Sequence, residues 1–195
     1  MESLKEKFLL YKIQAKQDAG AFAELYDRYI GEIYRFIFFK VSHREEAQDL
    51  TSEVFLKTWN YLANHPHDKE IKSFRGLIYR IARNSIVDFY RARSHQHECA
   101  LDEVIELGKD DARYAHIESQ GDVRRIFDAL KGMKREYQDI ILLKYVEEMS
   151  VREIAESLDK SQTAVRVTLH RATKVLKRML SHENEPPTTQ APERD

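Results

Sequence analysis

The sequence predicts an all-α protein built as two small helical domains joined by a linker, the C-terminal one a helix-turn-helix. Three observations predict it. Turn-forming residues are scarce: six glycines and four prolines stand in 195 residues, and Pro186, Pro187 and Pro192 fall in the last ten. The body therefore lacks the punctuation that many short strands require. Apolar residues recur every three or four positions through most of the chain, which is the helical period. Between residues 94 and 121 that recurrence stops, as it does in a linker.

The elements follow in order. Leu4, Phe8 and Tyr11 open an amphipathic pattern, and Asp18 can cap the next helix. That helix sets Phe22, Leu25, Tyr26, Tyr29, Ile33 and Ile37 on one face. A third helix starts at Ser42, where Glu45 completes a capping box. Its apolar face is Ala47, Leu50, Val54, Trp59 and Leu62, and Asn64 and Pro66 end it. A polar loop then leads to Ser73, the cap of a fourth helix whose inward positions are Phe74, Leu77, Ile78, Ile81, Ser85 and Phe89.

Past the linker, which has room for a short helix at 101–107, two stripes follow. Val123, Ile126, Phe127 and Leu130 make one; Tyr137, Ile140, Ile141 and Tyr145 make the other. Ser150 and Glu153 form a second capping box ahead of Ile154, Ala155 and Leu158. The break Asp159-Lys160-Ser161 separates these from a last helix with Val165, Leu169, Ala172, Leu176 and Leu180 inward. Domains are thus expected at residues 1–94 and 122–181, with the linker at 95–121 and a Pro- and Thr-rich, disordered tail at 182–195.

A formal net charge of −1 conceals local asymmetry. Residues 160–178 carry Lys160, Arg166, Arg171, Lys174, Lys177 and Arg178 with no acid. Residues 72–93 carry Lys72, Arg75, Arg80, Arg83, Arg91 and Arg93 against Asp88 alone. Residues 44–53 are acidic, with Glu45, Glu46, Asp49 and Glu53 against Arg44. Basic clusters of this kind point to nucleic acid.

Other classes are disfavoured. The single cysteine, Cys99, permits no internal disulfide. No apolar run approaches the roughly 20 residues of a membrane span, so membrane insertion is not expected and the cytoplasm is the default location. His95, His97 and Cys99 offer three metal ligands at a spacing that fits no common zinc pattern, so neither metal nor cofactor is expected. Gly-rich phosphate loops, nucleophile elbows and H-E-x-x-H are absent from the sequence. A metal-dependent nuclease or recombinase would need a third carboxylate beside Asp49 and Glu53. The chain is therefore not expected to be an enzyme.

Three segments carry binding chemistry instead. Residues 150–180 have a helix-turn-helix plan: a short capped helix, a tight break and a longer helix with a basic outer face. Gln162, Thr163, Arg166, Val167 and His170 lie on or near its outward side, where base edges would be met, with Arg suited to guanine and Val to a thymine methyl. Lys174, Lys177 and Arg178 suit phosphates, and Arg171 suits either. The helix from Phe74 interleaves Arg75, Arg80, Arg83, Asn84, Arg91 and Arg93 with Tyr79, Phe89 and Tyr90, a composition that fits unstacked single strands as well as a solvated surface. The like-charged pair Asp49 and Glu53 costs helix stability, which a cationic partner would explain.

Together these blocks resemble the sigma-70 family of RNA polymerase sigma factors, in its extracytoplasmic-function group. Asp18 to Arg35 is similar to the family's opening helix, and Ala47 to Trp59 to its core-polymerase-binding helix. Phe74-Arg75, Ile81 to Asn84 and Asp88 to Arg91 resemble the helix that melts and reads the −10 element. Glu153 to Ala155, Val165-Arg166 and His170 to Ala172 are similar to the family's helix-turn-helix.

The resemblance implies that Gln48, Asp49, Glu53 and Phe55 bind core polymerase. It implies that Arg80, Arg83, Asn84 and Arg91, with the loop at 64–73, engage the −10 element. Ser161, Thr163, Arg166, Val167, His170, Arg171 and Lys174 would read the −35 element. The implied partners are core RNA polymerase and promoter DNA, with an anti-sigma factor as a further one. Leu77, Met133-Lys134 and Leu158-Asp159-Lys160-Ser161 depart from the family's Trp, Leu-Pro and Leu-Gly-Ile-Ser. The alternative is a helix-turn-helix regulator that binds duplex DNA without acting as a polymerase subunit.

Overall fold

The computed structural model describes residues 2–64, 71, 73–96 and 121–182. Among these, every regular element is helical. They are α1 (Glu2–Lys16), α2 (Ala19–Val41), α3 (Arg44–Asn64), α4 (Phe74–Gln96), α5 (Gly121–Lys131), α6 (Arg135–Ile141, continued by a π-helix Leu142–Val146), α7 (Val151–Leu158) and α8 (Gln162–His182). The linker beyond Gln96 with its expected short helix, His97 and Cys99, residues 65–70 and the tail beyond His182 lie outside the described residues. By their contacts the helices fall into two units: α1 to α4 with α7, and α5, α6 with α8 from Thr163 onward.

In the first unit the core is built from α2, α3 and α4, with α1 alongside. Asp18 caps α2, its Oδ1 accepting from the Ala21 amide at 3.0 Å. Leu25, Tyr29, Ile33, Phe36 and Ile37 are the buried face of α2. Ala47, Leu50, Val54, Phe55 and Leu62 answer from α3, and Phe74, Leu77, Ile78, Tyr79, Ala82 and Ile86 from α4. Phe22 meets Trp59, Phe55 and Phe74 edge-on, at centroid distances of 5.2, 6.4 and 6.4 Å. Buried Thr51 and Thr58 return their hydroxyls to the carbonyls of Ala47 and Val54, which satisfies them without breaking the helix.

Two local readings change. Ser42 does not cap α3: it is left-handed (φ 57°) and donates its amide to Phe38 O at 2.8 Å, closing α2. The chain has to turn there, and a left-handed residue turns it while satisfying an end carbonyl of α2. Glu45 and Glu46 then sit in the first turn of α3, where its dipole favours acids. In α1 the buried residues are Leu9, Leu10 and Ile13, whereas Leu4, Phe8 and Tyr11 are exposed. Helix α7 lies against α4 where Gly76 supplies no side chain: a Cβ there would stand 3.0 Å from the Glu156 Cβ and 3.6 Å from the Glu153 carbonyl.

In the second unit Ala129, Leu130, Met133, Ile140, Ile141, Leu142 and Leu143 are buried. Gln138 ties α6 to the end of α5, its Nε2 donating to Lys131 O at 3.0 Å and to Met133 O at 2.9 Å. The wider π turn of Leu142–Val146 advances the register, so Tyr145 leaves the stripe it shares on a 3.6-residue period and stands 59 % exposed. In α8, Val165 and Ala172 are fully buried.

Candidate nucleic-acid interface

A capping box sets the start of α7: Ser150 Oγ accepts from the Glu153 amide at 3.2 Å, and Glu153 Oε2 accepts from the Ser150 amide at 2.8 Å. Its end is Asp159, which takes the left-handed conformation (φ 52°, ψ 48°) that a glycine would adopt with less strain. The Lys160 amide then reaches Ala155 O at 2.9 Å, and α8 begins two residues later. The tight break is therefore made without glycine.

Along α8, at about 100° per residue, Thr163, Arg166, Val167, His170, Arg171 and Lys174 fall within an arc of about 140°. All six are exposed, as is Ser161 just before the helix. Val165 and Ala172 point the other way, into the core. Because residues 160–178 hold no acid, the cations on this face meet no carboxylate from their own helix. Val167, 45 % exposed, is an apolar group set among them.

On α4, Arg80, Arg83, Asn84 and Arg91 share an arc of about 100° opposite the buried Ile78, Ala82 and Ser85. Asn84 and Arg91 are exposed, and Arg80 and Arg83 half-buried. The Nε of Arg83 is buried without a hydrogen-bond acceptor. Arg91 stands 3.8 Å from Asp88.

The neighbouring aromatics are otherwise engaged. Tyr79 is 1 % exposed, so it belongs to the core and offers no stacking platform. The Tyr90 hydroxyl donates to Lys40 O at 2.7 Å, and Phe89 lies under the Arg93 guanidinium at 5.7 Å. Two arginines of the basic segment are held by acids from other helices. Arg93 pairs with Glu46 at 2.6 Å, and Arg75 with Glu32 at 2.9 Å. Burial works to lower the Arg75 pKa, but the charges of Glu32 and Tyr79 outweigh it, and the net direction is upward.

On α3, Gln48, Asp49 and Glu53 are exposed on one side of the helix. Phe55 does not join them. It is 3 % exposed and packs on Tyr26, 4.6 Å between centroids, so it supports α3 from beneath. Lys57 was not singled out in the sequence, although Glu53 and Lys57 have the i,i+4 spacing that signals a pair. Its Nζ stands 2.5 Å from Glu53 Oε1 and donates to Ser85 Oγ on α4 at 3.1 Å, joining the acidic helix to the basic one. Among the described residues no group of His, Cys, Asp and Glu is placed to hold a metal ion, and no helix is long and apolar enough to cross a membrane.

Comparison with known proteins matches two stretches of the chain to one family. Sigma-70 region 2 matches residues 25–96, and sigma-70 region 4 matches residues 124–176; together they span more than half of the chain. The chain is 27 % identical over 165 residues to the ECF RNA polymerase sigma factor BldN of Streptomyces coelicolor, covering 84 % of this chain and 61 % of BldN. It is 28 % identical over 164 residues to RNA polymerase sigma factor YlaC of Bacillus subtilis, covering 83 % of this chain and 93 % of YlaC. The solved structure of CnrH in complex with the cytosolic domain of CnrY shares the fold, with a TM-score of 0.68 at 20 % identity, over 92 % of this chain and 99 % of that one. The sigma factor RpoE, in complex with the anti-sigma factor NepR from Bartonella quintana, matches at a TM-score of 0.57 and 16 % identity, over 82 % of this chain and 96 % of that one.

Proposed function

Because the chain belongs to the extracytoplasmic-function group of the sigma-70 family of RNA polymerase sigma factors, we propose that it divides promoter recognition between its two cationic helix faces while an acidic face holds the polymerase. It binds core RNA polymerase and directs promoter-specific transcription initiation. The catalysis is the polymerase's; this subunit acts in the cytoplasm by binding and is not itself an enzyme. Residues 1–94 serve the core enzyme and the −10 element, residues 122–181 the −35 element, and residues 95–121 link them.

The observation that carries this reading is the α8 arc: six exposed side chains, three of them Arg or Lys, opposite a buried stripe. Arg166, Val167, His170 and Arg171 meet base edges in the major groove, with Ser161 and Thr163 at the helix start and Lys174 toward phosphate. On α4, Arg80, Arg83, Asn84 and Arg91 engage the −10 element. Since Tyr79 and Tyr90 are occupied, charge and hydrogen bonding carry more of this contact than stacking does.

Gln48, Asp49 and Glu53 face the core enzyme, with Phe55 and Lys57 fixing the helix that presents them. The Bartonella RpoE structure is of a complex with an anti-sigma factor, and such a factor is the further partner we propose here. Arg166→Ala should weaken binding to a −35 duplex at least tenfold and leave the affinity for core polymerase unchanged, each measured by fluorescence anisotropy. Equal losses on both partners would overturn the division.

A further inference from the structure

Helix α1 is used on only one side. Leu9, Leu10 and Ile13 are buried at 4 %, 3 % and 0 %, and Glu6 reaches inward to Tyr29 and Phe74. On the opposite side Leu4, Phe8 and Tyr11 are exposed at 73 %, 57 % and 62 %, and Ala15 is exposed a turn further on. These four residues are spaced four, three and four apart, which is the seam of a heptad repeat with Phe8 and Ala15 at a and Leu4 and Tyr11 at d. The residues that face the unit then fall at b, c and f, where a two-stranded coiled coil makes no contact. One helix thus has a packed face and a second, complete docking face.

The charges beside the seam choose the occupant. Lys5 and Lys12 hold the e positions, and Lys7 and Gln14 the g positions. Lys5 pairs with Glu24, and Lys12 lies 3.9 Å from Asp18 and 5.0 Å over the Phe8 ring. The Lys5 pair is exposed, of the kind that contributes little and exchanges readily, and the Lys12 pair is half-exposed and long. A second copy of this helix would oppose lysine to lysine and is disfavoured. A membrane surface would need a broad apolar face, whereas this seam is one residue wide and the helix cannot roll, being packed along its other side.

We infer that the Leu4–Phe8–Tyr11 seam of α1 is a docking site for an amphipathic helix of another protein, one with an apolar a/d seam and glutamate or aspartate at e and g. The inference uses α1 alone and is independent of the roles assigned to α3, α4 and α8.

The test uses the full chain and two synthetic three-heptad peptides, alike in Ile and Leu at a and d, one with Glu and one with Lys at all e and g positions. By titration calorimetry the Glu peptide should bind at least tenfold more tightly than the Lys peptide. Its affinity should fall as salt is raised, and Phe8→Glu should cost at least tenfold. Phe8 is exposed, so the variant's melting temperature and its transcription with core polymerase should be unchanged. The proposal is overturned by failure of the Glu peptide to bind, by equal binding of both peptides, or by binding indifferent to Phe8→Glu. Loss of transcription in Phe8→Glu would assign the seam to the polymerase instead. Sedimentation with anionic phosphatidylserine vesicles that Phe8→Glu abolishes would assign it to a membrane surface.

Discussion

One carboxylate, Glu6, receives hydrogen bonds from two other helices. Its Oε2 accepts the Tyr29 hydroxyl of α2 at 2.6 Å, and its Oε1 accepts the Phe74 amide at the start of α4 at 3.0 Å. Phe74 is fully buried, and its amide is one of the donors that a helix start leaves without an intrahelical acceptor. Glu6→Ala should therefore destabilise the protein by about 1–3 kcal/mol, since buried donors are left unmet. A shift in the urea midpoint at constant slope would report it. Burial, then the bond to Glu6 and its negative charge, push the Tyr29 pKa above the usual tyrosine value. A raised folded pKa contributes stability that is whole below the unfolded value near 10 and is lost as pH rises through the folded one. Melting temperature should thus fall above about pH 10, and less steeply in Tyr29→Phe. Spectrophotometric titration at 295 nm should show a component ionising above the usual tyrosine range that Tyr29→Phe removes.

At the scale of elements, two helical glycines separate propensity from packing. Replacing glycine with alanine in an open helix gains about 1 kcal/mol. At Gly31 a Cβ would meet only the Arg35 guanidinium at 3.6 Å, so Gly31→Ala should raise the melting temperature. At Gly76 it would meet the Glu156 Cβ at 3.0 Å and Oε2 at 3.1 Å, so Gly76→Ala should show no gain. Equal gains at both sites would mean that α7 does not lie against α4.

The same contrast explains what was legible in the sequence. Helices with one long apolar stripe, α2, α3 and α4, follow from period alone, as do the caps at Asp18, Ser73 and Ser150, because those signals are local. Ser42 misled because Ser-x-x-Glu fits a capping box whether or not the preceding helix needs that serine for its own end. Tyr145 misled because a π turn changes the period on which its stripe was drawn. On α1 two apolar stripes compete, and only tertiary contact selects Leu9, Leu10 and Ile13 over Leu4, Phe8 and Tyr11. Among the proposed site residues, the α8 set was legible as a face because nothing acidic interrupts it. Phe55 was not, since an aromatic beside exposed acids reads equally as surface or as core. Long-range pairs such as Arg75 with Glu32 and Arg93 with Glu46 leave no sequence signal at all.

For the whole molecule, 32 basic residues against 33 acidic ones leave almost no net charge to attract DNA indiscriminately. On the proposed reading, binding would rest on local cationic faces, each weak by itself and strengthened when one large partner holds both. Isolated protein should therefore bind promoter duplex with steep salt dependence, and Lys174→Ala should reduce the slope of log affinity against log salt by about one unit without changing sequence preference. The most direct measurement of the central claim is transcript mapping with purified core polymerase on a randomised promoter library. The account predicts defined start sites that depend on this chain, share an upstream duplex element and a −10 element, and are lost in a double Arg83→Ala, Arg166→Ala variant that still binds core. Random starts with and without the chain, or defined starts that survive that double substitution, would contradict it.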